Sequence, residues 1–162
     1  MSVQSLRFGV IGCGLMGREF ASAAARWCHL SDMNVQPVIT AVCDADPQAM
    51  EWFRRHVPTV TLATTDYREL LASADVDAVY CAVPHHLHRQ IYVDIIRAGK
   101  HLLGEKPFGI DLEANRAILQ AVREHPEVLV RCSSELPFFP GAYQLMQWVT
   151  ERRYGKIIEV EA

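Results

Sequence analysis

The sequence predicts an α/β protein built on a doubly wound parallel sheet, and three observations lead there. Short β-branched runs alternate with stretches of helical period, several of the runs are apolar without a break, and the links between them are short. Unbroken apolar strands suit a sheet buried on both faces, and strict alternation of strand and helix makes that sheet parallel. A chain of 162 residues, 50% of them hydrophobic, can bury one ordinary core.

Taken in order, the first strand is expected over Leu6 to Ile11, followed by a helix whose apolar stripe is Met16, Phe20, Ala23 and Trp27. A surface loop from Ser31 to Pro37 leads to a second strand over Val38 to Cys43. Asp46-Pro47 opens the second helix, with aspartate at N-cap and proline at N1. Further strands are expected over Val60 to Ala63, Ala78 to Ala82, His101 to Gly104 and Val128 to Cys132. Leu87, Ile91, Ile95 and Ala98 make a helical stripe that Gly99 can close, and Asp111 can cap a helix carrying Ala114, Ile118, Ala121 and Val122. No internal repeat or low-complexity segment interrupts the pattern.

The formal charge of −3 comes from 16 basic and 19 acidic residues that are well mixed along the chain, which leaves no footprint for nucleic acid or a membrane surface. The N-terminus lacks the charged region followed by an apolar region of an export signal, and no apolar run reaches membrane-spanning length, so a cytosolic protein is expected. Its five cysteines show no CxxC spacing, and Cys43, Cys81 and Cys132 sit in or at the end of apolar runs, where reduced thiols act as small hydrophobes.

In a doubly wound sheet ligands bind beyond the carboxyl ends of the strands, so the residues after each strand carry the chemistry. After the first strand comes Gly12-Cys13-Gly14-Leu15-Met16-Gly17, a GxGxxG pattern that follows a strand and opens a helix. Its glycines permit a tight turn and close backbone approach, while the helix N-terminus offers N–H groups and a positive dipole end to a pyrophosphate. That context predicts a Rossmann dinucleotide-binding fold. The second strand ends in Asp44, whose carboxylate would accept the two hydroxyls of an adenosine ribose and repel a 2′-phosphate, which favours NAD over NADP. Asp44 stands 27 residues beyond Gly17, against about 20 in the usual fingerprint, and the excess is assigned to the loop from Ser31. Two other readings stay open here. Asp44 could merely begin the turn Asp44-Ala45-Asp46-Pro47, and a methyltransferase that binds S-adenosylmethionine also uses a glycine loop and an acidic residue after its second strand.

The later strand ends separate these readings. Ala82 ends the fourth strand and Val83 and Pro84 follow it at the same edge, and all three are assigned to the cofactor; His85, His86 and His88 come next, and Glu105-Lys106-Pro107 follows the fifth strand. The three histidines contain no helical i, i+4 pair, and no cysteine or carboxylate joins them locally, so no metal is expected.

These residues resemble the Gfo/Idh/MocA oxidoreductases. The matching segments are IGCGLMG at 11 to 17, VCDAD at 42 to 46, PHHLH at 84 to 88, AGKHLLGEKPF at 98 to 108 and FFPGAYQLMQWVTERRYGKIIEV at 138 to 160, with AGKH followed by EKP the most specific. The resemblance implies an NAD(P)-dependent enzyme that exchanges hydride between nicotinamide and a carbinol carbon of a sugar, polyol or related compound. Carried over by position, Lys106 is the active-site lysine, near the substrate hydroxyl and the nicotinamide. Glu105 and Pro107 shape its turn, and His88 lies near the cofactor. His85 stands where the family commonly has asparagine, and Pro137 where an arginine is common, so contacts made by those family residues are not carried over.

The C-terminal stretch reads as a helix from about residue 142 to 153 that carries Leu145, Met146 and Val149 on one face, with Arg152 and Arg153 in its last turn and Gly155 at C′. Ile157, Ile158 and Val160 then read as a strand. The expected organisation is a dinucleotide-binding domain over 1–132, a connecting segment and helix over 133–155, and over 156–162 the first strand of an α+β substrate domain that the chain does not contain. The chain is then expected to be the cofactor half of an oxidoreductase that is a homo-oligomer at full length, and to be inactive alone; a dinucleotide-binding module without catalysis is the alternative.

Overall fold

The computed structural model describes residues 3–159 and 161. Its elements in chain order are β1 (Gln4–Ile11), α1 (Leu15–Ala25), β2 (Val35–Cys43), α2 (Pro47–His56), β3 (Leu62–Thr64), α3 (Tyr67–Ala72), β4 (Ala78–Cys81), α4 (His88–Arg97), β5 (His101–Glu105), α5 (Leu112–Glu124), β6 (Val130–Ser133) and α6 (Pro140–Thr150). The chain divides into two compact units, Met1–Cys132 and Ser133–Ala162.

The first unit carries the sheet, in the order β3-β2-β1-β4-β5-β6. The ladders β1–β2, β1–β4, β2–β3 and β4–β5 are parallel. Side chains alternate between the two faces as the strand period requires. Val10, Val42 and Tyr80 pack with Ala21 and Ala24 of α1 and with Met50 and Phe53 of α2. Ile11, Cys43, Val79, Cys81 and Leu102 pack on the opposite face with Leu70 of α3, Ile91, Tyr92 and Ile95 of α4 and Ile118 of α5. Phe53 and Tyr92 are fully buried, and truncating such an aromatic ring to alanine costs about 3–5 kcal/mol.

All six expected strands form, and the expected caps hold. Asp46 accepts the Gln48 N–H at 2.9 Å and Asp111 accepts the Ala114 N–H at 2.7 Å, each satisfying a donor that the first turn leaves orphaned. Gly99 closes α4 at φ +72°. Boundaries differ where tertiary pairing intervenes. Pro37 lies inside β2, opposite Leu6, and not in a surface loop. β3 pairs only with Ala41, Val42 and Cys43, so the outer side of β2 is an edge at Pro37 and its missing N–H breaks no ladder. The stripe that reached Trp27 is also interrupted: α1 ends at Ala25 and a separate 3-10 turn covers Trp27–His29.

In the second unit α6 stops at Thr150, and Gly155 at φ +83° lies beyond a turn and not at C′ of the helix. No strand forms among the described residues of 156–162; Val160 and Ala162 of the expected strand lie outside the described residues. A strand exists only by pairing with a neighbour, and the described residues of this segment pair with none.

The amino-terminal edge of the sheet is stitched by side chains. Arg7 grips Asp77 with Nε to Oδ2 at 2.9 Å and Nη2 to Oδ1 at 2.6 Å, while its backbone N–H also donates to Oδ2. Lys100 donates from Nζ to the carbonyls of Ser73 and Val76, at 3.0 and 2.7 Å, and so closes the entry to β4. The hydrogen bonds from Arg7 hold the Asp77 carboxyl below its usual range. A carboxyl depressed in the folded state stabilises the fold at pH values above its unfolded value, near 4, and that contribution disappears as pH falls through the folded value. Urea unfolding of the wild type and Asp77→Asn at pH 7 and pH 3 checks this: the gap in stability between them should be present at pH 7 and shrink at pH 3. A gap that does not change with pH would dissociate Asp77 from the acid sensitivity of the fold.

Candidate functional site

β1 and β4 lie side by side, and the chain winds away from them in opposite directions, to β2 and β3 on one side and to β5 and β6 on the other. Such a reversal opens a crevice beyond the carboxyl ends of the two strands. Gly12 sits at its floor. Its N–H donates to the Cys43 carbonyl at 2.8 Å, while the Ala82 N–H donates to the Ile11 carbonyl at 2.8 Å. Gly12 has φ +98°, and a Cβ there would run into the Ala82 carbonyl oxygen, so both backbone conformation and space demand glycine. Gly17 is held for space alone, because a Cβ on it would overlap the Gly12 carbonyl oxygen.

Gly14 differs from both. Nothing lies within 4 Å of the position a Cβ would take, so its surroundings are open. It is also the N-cap of α1, with no side-chain cap and no acidic residue in the first turn. The orphaned N–H groups of that turn therefore keep their hydrogen-bonding capacity and their positive dipole end for a ligand. Leu15 and Met16 flank the opening, 64% and 44% exposed. Cys13 points inward, fully enclosed, with Sγ 3.6 Å from the Cys43 carbonyl oxygen. Burial, followed by the Asp44 charge, pushes the Cys13 thiol up to about 12, and burial does the same to Cys43. Neither is a thiolate nucleophile at neutral pH.

Asp44, at the end of β2, fixes this loop directly. Oδ2 accepts the Cys13 N–H at 2.7 Å and Oδ1 accepts the Asp46 N–H at 2.9 Å. Its side of the crevice is half-buried, and each carboxylate oxygen retains a second acceptor position. The loop contact was not expected from sequence, because the two residues lie 31 positions apart.

On the other side of the crevice, Ala82 and Val83 are half-buried and Pro84 is exposed, followed by a 3-10 turn over His85–Leu87. Beyond β5 the Lys106-Pro107 peptide bond is cis. Lys106 is exposed, and among the described residues its ammonium has no hydrogen-bond or ion-pair partner. Glu105 is only 7% exposed. Its Oε1 accepts the Tyr80 O–H at 2.7 Å and its Oε2 accepts the Lys106 N–H at 3.1 Å, so it braces the turn from within the protein. Tyr92 donates to the Glu105 carbonyl at 3.0 Å. Both tyrosines are buried in apolar surroundings, where a hydroxyl needs a partner; a tyrosine within an apolar run is the signal that could have marked them.

His88, expected near the cofactor, lies buried behind the turn at Lys106. It has no exposed surface, and its ring nitrogens lie against two backbone carbonyls, Nδ1 at 2.8 Å from Pro107 O and Nε2 at 3.0 Å from Val83 O. Its ring has nothing left to offer a ligand. His85 and His86 are exposed, and among the described residues no group of three or more His, Cys, Asp or Glu side chains is placed to hold a metal. Thus the glycine loop, Asp44, Ala82 to Pro84 and Lys106 come together along one sheet edge, with Glu105 and His88 buried beneath it.

Comparison with known proteins places the fold in a family. Residues 6–132 match the family described as "Oxidoreductase family, NAD-binding Rossmann fold". Levoglucosan dehydrogenase of Pseudarthrobacter phenanthrenivorans is 33% identical over 124 residues, which is 75% of this chain and 31% of that protein. Inositol 2-dehydrogenase of Burkholderia multivorans is 30% identical over 151 residues, 93% of this chain and 43% of that protein. A levoglucosan dehydrogenase solved with NADH and levoglucosan superposes with a TM-score of 0.86 at 26% identity, covering 96% of this chain and 42% of that one. The chain thus spans less than half the length of these relatives.

The close approach of Gly17 to Gly12 gives a direct test of the loop. Gly17→Ala should lose about 1–3 kcal/mol in urea unfolding, because its Cβ can be accommodated only by moving backbone. Gly14→Ala, where space is open, should stay within about 1 kcal/mol of the wild type. Equal losses at the two positions would refute the packing role of Gly17.

Proposed function

The chain belongs to the Gfo/Idh/MocA oxidoreductase family, and from that premise we propose that it is the NAD(H)-binding half of an enzyme that moves a hydride between nicotinamide and a CH–OH carbon of a sugar, polyol or related compound. One observation carries the reading: a single sheet edge collects an open, uncapped helix N-terminus, a half-buried carboxylate and a lysine with no partner among the described residues. The names of the relatives, a levoglucosan and an inositol dehydrogenase, support the substrate class.

In this reading the first-turn N–H groups beyond Gly14, with Leu15, Met16 and Gly17, hold the pyrophosphate. Gly12 and Cys13 shape the loop beneath it. Asp44 accepts the adenosine ribose hydroxyls with its remaining acceptor positions while continuing to hold Cys13. Ala82, Val83 and Pro84 border the nicotinamide end. Bound NAD supplies the hydride acceptor. Lys106 orients the reacting hydroxyl and handles its proton, and Glu105 keeps the Lys106 backbone in place from below. His88 supports these loops without touching the cofactor.

We further propose that catalysis requires a substrate domain beyond these residues and that the complete enzyme is a cytoplasmic homo-oligomer. Five free cysteines suit a reducing compartment. Among the described residues, no helix is long and apolar enough to cross a membrane. Phe138, Tyr154 and Ile158 are 81%, 76% and 95% exposed, apolar surface of the kind that further protein covers.

Titration calorimetry with NADH and NADPH tests the cofactor site. NADH should bind more tightly by about 1.5–3 kcal/mol, the scale of charge-assisted hydrogen bonds from ribose to Asp44. Equal or tighter NADPH binding removes Asp44 from that role, and failure to bind either cofactor removes the whole reading.

Lys106→Ala should leave NADH affinity of this chain nearly unchanged. In an enzyme form that turns over a polyol, the same substitution should reduce kcat by about 10²–10⁴. Unimpaired turnover would return Lys106 to an ordinary solvated side chain.

A further inference from the structure

Glu105 puts a carboxylate at the end of a buried strand, where an apolar side chain would cost the fold less. What it holds explains the placement. Its Oε2 accepts the Lys106 N–H at 3.1 Å, and the carbonyl at the other end of that same peptide unit, Glu105 O, accepts the Tyr92 hydroxyl at 3.0 Å. A peptide unit is planar, so a partner at each end stops it from turning about the chain. The direction in which the Lys106 side chain leaves the backbone is thereby set.

The two holds reach this peptide from opposite faces of the sheet. Tyr80 pairs with Leu103 in the β4–β5 ladder, and Glu105 follows Leu103 by one strand period, so the side chains of Tyr80 and Glu105 share the face covered by α1. There the Tyr80 hydroxyl donates to Glu105 Oε1 at 2.7 Å, which orients the carboxylate toward the Lys106 N–H. The Tyr80 ring stacks on Phe20 of α1, with centroids 4.4 Å apart and planes 9° apart, so the hydroxyl starts from a fixed place. Tyr92 comes from α4 on the other face. Gly104 makes room for it, because a Cβ there would overlap the Tyr92 ring.

Packing alone asks for neither hydroxyl. Phenylalanine fills nearly the same volume and leaves no polar group to satisfy. The Lys106 side chain is exposed and has no partner among the described residues, so its backbone is where the protein holds it. We propose that Tyr80 and Tyr92 are positioning residues that pin the peptide between Glu105 and Lys106 from both faces of the sheet and so aim the Lys106 ammonium at the substrate hydroxyl. This rests on the proposed role of Lys106 and adds what keeps that side chain in place.

Hydrogen exchange of backbone amides in the ¹⁵N-labelled chain tests the clamp without any ligand. Tyr80→Phe keeps the stacked ring and removes the hydroxyl; the Lys106 N–H should then exchange about tenfold faster, the scale of one net hydrogen bond. The amides of Val10 and Val79, in the buried ladder of β1 and β4, should keep their wild-type rates. Tyr92→Phe should have the same local effect, and if one variant does not fold the other decides. Unchanged Lys106 exchange in the folded variants overturns the clamp, and faster exchange throughout the sheet assigns the hydroxyls to general stability instead.

Turnover supplies the second arm, in an enzyme form that oxidises a polyol. Tyr80→Phe should lower kcat by about 10-fold to 100-fold, the scale of a misplaced catalytic group, with KM for NAD nearly unchanged. In a Lys106→Ala background the same substitution should remove nothing further, because its effect passes through Lys106. An equal loss of kcat in both backgrounds overturns the positioning role. If Lys106→Ala itself leaves turnover unimpaired, the proposed function fails, and the exchange rates still decide whether the peptide is pinned.

Discussion

Everything at the functional edge depends on how closely β1 and β4 approach at their carboxyl ends. The Ala82 N–H reaches the Ile11 carbonyl at 2.8 Å, and the Ala82 carbonyl occupies the space a side chain at residue 12 would need. Only glycine allows the chain to leave β1 there at positive φ and start α1 at once. That immediate start leaves the first turn of α1 uncapped and pointed into the crevice. A bulkier residue would push the two strands apart or delay the helix, and the open N–H groups would no longer stand over the switch point.

The two edges of the sheet are built on opposite plans. At the amino-terminal edge Arg7 and Asp77 pair in a fork, Lys100 covers two carbonyls and Thr40 donates to the Asp75 carbonyl at 2.6 Å, so polar groups are matched within the protein. At the carboxyl edge the helix N-terminus is uncapped and Lys106 has no partner among the described residues. Unmatched groups at a solvent-facing edge cost little while water solvates them, and they keep their capacity for a ligand. A parallel sheet makes this division natural, because all strands end on the same side.

Beneath the carboxyl edge lies a support made of buried polar groups. Tyr80 stacks on Phe20 of α1 at 4.4 Å and holds the Glu105 carboxylate, while Tyr92 stacks on His88 and holds the Glu105 carbonyl. The glycine-loop helix, both strand ends and α4 are thus connected through rings that cannot rotate freely in a packed interior. Buried polar groups are costly unless satisfied, and satisfying them requires each loop to keep its place.

The fold, and the gathering of the candidate residues at one sheet edge, were legible in the sequence because they rest on local patterns. Apolar runs, helical stripes and aspartate caps fix which segments are strands and helices, and strand ends fix where GxGxxG, Asp44 and Glu105-Lys106 must gather. What could not be read locally is which partner each polar group takes. Pro37 belongs to a strand because β3 is too short to pair beside it. Asp44 holds Cys13, and Tyr80 holds Glu105, across separations of 31 and 25 residues. His88 is a buried brace because two loops from different strands converge on one ring. Residues 156–159 carry a strand's composition without forming one. Side-chain period is a property of the chain itself, whereas a hydrogen bond or a ladder exists only when a second segment is brought alongside, and that is decided by the tertiary structure.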